Sequence, residues 1–136
     1  MEKEKTSTEQ RKVEKLHWEI QQWKLQLQFI DNENLFISRL LDSNIFKPNI
    51  LNLFERLQDY KHRLKKLSDA EEKLRHEISK HESNLGSILE RTDNVSSLDY
   101  YINHDKLQSK VATYIEDFQK LKSEIFNYVG GLLKKH

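Results

Sequence analysis

The sequence predicts an all-α protein, an elongated up-down-up antiparallel three-helix bundle with coiled-coil-like heptad packing. Three observations lead there. The 136 residues include only 3 Gly and 1 Pro, too few chain breakers for the turns of a β or α/β fold. Apolar residues, 36% of the chain beside 33% charged, recur at alternating three- and four-residue steps through three long segments. Two short polar stretches, residues 42–49 and 91–97, separate those segments, and turns that short make neighbouring helices antiparallel. The length fits one domain spanning residues 1–136. The 2 Trp, 5 Tyr and 6 Phe mostly follow the same period, which favours a packed core over a disordered chain.

The first helix is expected over about residues 8–42. Thr6 with Glu9, or Ser7 with Gln10, would form a capping box at its start. Its stripe runs Val13, Leu16, Ile20, Trp23, Leu27, Ile30, Ile37 and Leu41, with Asn34 as the one polar entry. These are heptad positions a and d, a seam that faces partner helices. The second helix is expected over about 48–91, with Pro48 in its first turn. Its stripe runs from Ile50 through Leu64 and Ile78 to Ile88, and Glu71 and His81 are its polar members. Asp59–Arg63, Asp69–Lys73 and Glu71–Arg75 are i,i+4 pairs that would support its exposed faces. Gly86 is a weak point, and a break near Ser68-Asp69 is an alternative to one continuous helix. The third helix is expected over about 97–130. Ser96 with Asp99 would cap it, and Gly130-Gly131 would fray or end it. Helices of similar length should overlap along most of the rod.

One feature exceeds what a lone bundle needs. Trp18, Leu25, Phe29 and Phe36 form a second stripe on the first helix, at positions f and c behind its seam, with Gln22 and Asn32 at the intervening steps. Leu40, Phe46, Leu51 and Phe54 continue the apolar character toward the first turn, and threading brings Phe126, Val129 and Leu133 to the same end. Apolar patches with aromatic anchors mark interfaces. The expectation is a two-fold homodimer through Trp18, Leu25, Phe29, Phe36 and Leu40. The competing reading is a bent first helix that buries both faces within one chain.

Residues 72–86, EKLRHEISKHESNLG, place two histidines five residues apart. His81 falls at d on the seam and His76 at f, away from it, so the two cannot share an ion within the bundle. HExxH is absent, because the second histidine comes one residue late. A pairing across helices is the better candidate. His81 should lie within a turn of His104 and Gln108, and a count from the first turn puts Glu9, Lys12 and Val13 at the same level. Glu77 and Glu82 flank the seam. His81, His104 and a carboxylate such as Glu77 are therefore the candidate metal ligands, and zinc would accept them. The competing reading is a hydrated polar contact. Glu14-x-x-His17 and Asp59-x-x-His62 resemble half-sites of a di-iron bundle, but neither points both side chains inward. Threading would put His17 near Lys73, far from His62.

Composition excludes much else. No cysteine is present, so there is no disulfide framework, thiolate nucleophile or Cys-bound zinc. A formal charge of +1 does not suit general phosphate-backbone binding. The local basic run YKHRLKK, Tyr60 to Lys66, is spread around its helix and followed by acids, as on a solvated face. No nucleophile elbow, phosphate loop, dinucleotide fingerprint or EF-hand occurs. Neither a signal segment nor an apolar run of membrane-spanning length is visible. The expectation is a cytoplasmic, non-enzymatic protein that works by protein–protein contact. It would need no cofactor and could take an unknown second protein on the outer face of the second helix. A metal- or small-ligand-binding bundle and a nucleic-acid adaptor are the alternatives.

Overall fold

The computed structural model describes the backbone of residues 2–46, 49–90 and 94–134, and the side chains of residues 10–46, 49–87 and 98–133. Three helices make up almost all of it: α1 Glu2–Leu41, α2 Leu53–Glu90 and α3 Asn94–Lys134, of 40, 38 and 41 residues. At 1.5 Å rise per residue each is about 60 Å long. No strand occurs among the described residues.

The chain runs up, down and up. Gln21 and Lys24 of α1 bond Glu82 of α2, whereas Asp42 pairs with Lys61, so the two helices are antiparallel. Glu77 pairs with Lys110 and Arg63 with Glu124, so α2 and α3 are antiparallel as well. Glu19 meets His104 and Glu33 meets Lys122, which makes α1 parallel to α3.

The heptad seam is the core. Ile20, Leu27 and Ile37 of α1, Tyr60, Leu64 and Ile78 of α2, and Phe118 and Ile125 of α3 are all nearly inaccessible. Among the described residues four polar side chains are buried with them: Asn34, Glu71, His81 and His104. At the end of α3 the buried side drifts, with Val129 buried and Tyr128 only half-buried. A straight helix of 3.6 residues per turn slips against a seven-residue repeat, so the seam moves one residue round.

The helix limits differ from the sequence expectation. α1 is already helical at Glu2 and α3 at Asn94, so Thr6, Ser7 and Ser96 sit inside helices rather than at caps. α2 begins at Leu53, not near 48, and Pro48 lies outside the described residues. The stop is Asn52, whose φ of 59° is left-handed. Asn tolerates that region better than most residues, and its carbonyl accepts the first helical bond from the Arg56 N–H at 3.0 Å. α3 runs through Gly130-Gly131 to Lys134, and neither glycine has positive φ. α2 is continuous through Ser68-Asp69 and through Gly86.

The helices are staggered. Because Asp42 is level with Lys61, α2 residues 53–60 extend past the end of α1, where they pack on Tyr128 of α3. The first turns of α1 project in the same way at the other end, so α1 is slid along α2 by about 12 Å. Between the end of α1 at Leu41 and the start of α2 at Leu53 the chain has advanced along the bundle axis instead of turning at once. No helix among the described residues is long and apolar enough to cross a membrane.

Candidate functional site

The back of α1 is the first candidate. Trp18, Leu25, Phe29 and Phe36 keep 62–63% of their surface exposed, and Leu35 beside them 52%. α1 does not bend to bury them, because α2 and α3 both lie on its seam side. Leu40 is half-buried at the end of the stripe. Leu51 and Phe54 are exposed near the first turn, with Phe126 and Leu133 of α3 partly so, but Phe46 packs on the core and Val129 is inside it.

The second candidate is a buried polar chain across all three helices. His81 Nε2 and His104 Nδ1 are 2.9 Å apart. Asn103 Nδ2 lies 3.0 Å from His81 Nδ1, and His104 Nε2 lies 3.4 Å from a Glu19 carboxylate oxygen. The order of the chain follows from its two ends: the Glu19 carboxylate only accepts, and the Asn103 amide nitrogen at the other end only donates. His104 Nε2–H therefore donates to Glu19, His81 Nε2–H donates to His104 Nδ1, and the Asn103 amide donates to His81 Nδ1. The Tyr100 hydroxyl donates to the His81 carbonyl at 3.1 Å, and its ring stacks on the His81 imidazole at 4.0 Å. Trp23 covers His104 at 4.6 Å. His81 is neutral in this arrangement. Burial first, and the neighbouring His104 second, push His81 down from 6.5 to about 4. Each acceptor nitrogen already receives a hydrogen bond, so an added proton must break one. Burial also raises the Tyr100 hydroxyl.

The sequence brought His81 and His104 together correctly but chose the wrong carboxylate. Glu77 pairs with Lys110 at 3.0 Å and does not reach the histidines. Glu82 is held by Lys24 and Gln21, and the hydrogen bond from Lys24 holds its carboxyl below the usual range. Glu19 takes the place expected of Glu9, Lys12 and Val13. The error is the stagger: a count from a tight first turn is about six to ten residues short. For the same reason His17 lies near Glu82 rather than Lys73.

The facing nitrogens hold each other in a direct hydrogen bond, and Glu19 lies on the far side of His104. An ion at the usual distance of about 2.0–2.1 Å from each nitrogen would have to part them and find further ligands. Among the described residues no three His, Asp or Glu side chains are placed to hold an ion together. His17, His62, His76, Glu14 and Asp59 are exposed and apart from this cluster.

A shallow groove of about 420 Å³ runs between α2 and α3, floored by Leu67, Leu74 and Tyr114 and edged by Lys73, Lys110 and Asp117. Glu71 lies near it, inside the bundle. Burial raises its carboxyl, and Arg75 one turn on partly offsets that. The Glu71–Arg75 pair thus stands half within the core, not on an exposed face. Comparison with models of protein families, with curated proteins and with solved structures gives no match.

Proposed function

We propose that the chain is a non-enzymatic helical protein that acts by protein–protein contact and self-associates through the back of α1. The observation that carries this is the exposure of Trp18, Leu25, Phe29 and Phe36 on a helix whose opposite face is already buried. Large aromatic side chains in one row are the usual anchors of an interface. The buried histidine chain supports a structural part for the polar core, since its members satisfy one another and leave the helices in one register.

Light scattering on a sizing column tests the reading. The wild type should have twice the 16.4 kDa mass of one chain. Trp18→Glu with Phe29→Glu should return it to a folded monomer. A wild type that stays at 16.4 kDa at high micromolar concentration would remove the proposal.

The alternatives have less support. A metal role for His81 and His104 must displace a satisfied hydrogen bond, and trace-metal analysis of untagged protein would detect it. A nucleic-acid role would need a cluster of cations facing solvent, and in the basic run Arg63 pairs with Asp59 and Glu124 and Lys61 with Asp42, with Lys65 and Lys66 exposed beside them.

A further inference from the structure

The exposed stripe of α1 is a palindrome. Counted from Leu27, Leu25 and Phe29 are two residues away on either side. Gln22 and Asn32 are each five away, and Trp18 and Phe36 each nine. Lys15 and Arg39, each twelve away, bound the strip with a positive charge at both ends. Three of these pairs match in kind, two apolar and one amide, whereas Lys15 and Arg39 are like charges and the exposed Leu35 mirrors Glu19. In a two-fold interface residue i must suit residue j and j must suit i, which the apolar and amide pairs do. A surface shaped for an unrelated partner carries no such demand.

The strip also lacks charge where it would be covered. The exposed residues from Trp18 to Phe36 are Trp18, Leu25, Gln26, Gln28, Phe29, Asn32, Leu35 and Phe36. Of the four charged side chains in the same span, Glu19 reaches His104, Lys24 pairs with Glu82, Glu33 pairs with Lys122, and Asp31 is half-buried. From Trp18 to Phe36 the strip is about 27 Å long. With about 150–250 Å² per aromatic side chain, its three aromatic residues leave on the order of 350 Å² uncovered. The leucines and the intervening amides carry this toward the roughly 800 Å² per partner of a standard interface.

Building on the proposed self-association, we propose that two copies pair antiparallel through α1, about a two-fold axis crossing the helix at the level of Leu27. Trp18 then meets the partner's Phe36, Leu25 meets the partner's Phe29, and Gln22 faces the partner's Asn32. The palindrome sets this direction, since each apolar or amide side chain of the strip then meets one of its own kind. The same two-fold brings Lys15 level with the partner's Arg39 at each end, and the exposed Glu14 lies within one residue of that level.

The absence of native cysteine allows a direct test with spin labels on single-cysteine variants, their masses measured in the same samples. In Lys15→Cys the two labels should be about 36 Å apart along the helices. In Gln26→Cys, beside the axis, they should lie within about 20 Å, the helices being about 10 Å apart. Short distances at both sites in a dimer would overturn the antiparallel order and leave the α1 interface standing. A dimer with a long distance at Gln26→Cys would place the interface elsewhere and overturn both. A monomer would overturn both.

Discussion

His81 and His104 form a proton-ordered pair whose direction is set by the Glu19 carboxylate at one end and the Asn103 amide at the other. The arrangement has a pH consequence with a definite sign. The folded His81 titrates at about 4, below its ordinary 6.5. Between those values the unfolded chain binds the extra proton, so stability rises with pH. The contribution of His81 is complete above about pH 6.5 and is lost as pH falls toward 4. From pH 7.5 to pH 5 the loss should be about 2 kcal/mol, at 1.36 kcal/mol per unit. Glu71 works in the opposite sense, because its carboxyl is raised and its protonated form suits the core. Urea unfolding of wild type and of His81→Leu with His104→Leu, at both pH values, separates the two. The double variant should lose less stability on acidification. Equal losses would mean that the pair is not the titrating element.

At the scale of the elements, the seams were legible and the ends were not. Leu16, Ile20, Trp23 and Leu27 had to share a face because of their spacing, and they are buried. Periodicity says nothing about where a helix stops when capping residues are common. Ser7, Thr6 and Ser96 looked like caps and lie within helices, since nothing opposed the helical turn before them. Asn52 was overlooked, because left-handed backbone leaves no mark on an apolar pattern. Its conformation is costly for a branched side chain and free for glycine. Asn52→Val should therefore destabilise by about 1–2 kcal/mol through backbone strain. Asn52→Gly should stay within a few tenths. Thermal melts of the two variants decide it. If they lose equally, the positive φ is not what fixes the start of α2. Glu19 escaped notice for a related reason: its level depends on how far the chain advances along the axis between α1 and α2, and that advance is not written in the heptads.

For the whole molecule, the exposed and buried faces of α1 have separate tasks. The seam joins α1 to α2 and α3, while the back face remains for association. The polar layers at Asn34, Glu71 and His81–His104 lie at different levels along the rod. Asn34 donates to the Leu64 carbonyl at 3.1 Å, and the histidines tie all three helices. Sliding one helix by a heptad would leave Asn34 and the histidines without these partners at about 1–3 kcal/mol each, whereas Glu71 keeps Arg75 of its own helix. A single registry follows, with α1 displaced along the α2–α3 pair.

That displacement grades the rod in resistance to local opening. Near Ile78 and His81 every helix has two neighbours, so breaking a backbone bond there requires opening the whole bundle. Around residues 53–58 α2 has only α3 and the linker beside it, and around residues 10–13 α1 has passed the end of α2. Amide hydrogens in those two stretches should exchange with deuterium through small excursions, and those of 74–81 and 107–118 only through global unfolding. Mass spectrometry of the labelled peptides would reveal the gradient, and uniform protection along α2 would mean that the helix ends are flush. Residues 18–36, the palindromic strip, belong to the part of α1 that opens last. A second copy would therefore meet a rigid surface and would lose little conformational entropy in docking on it.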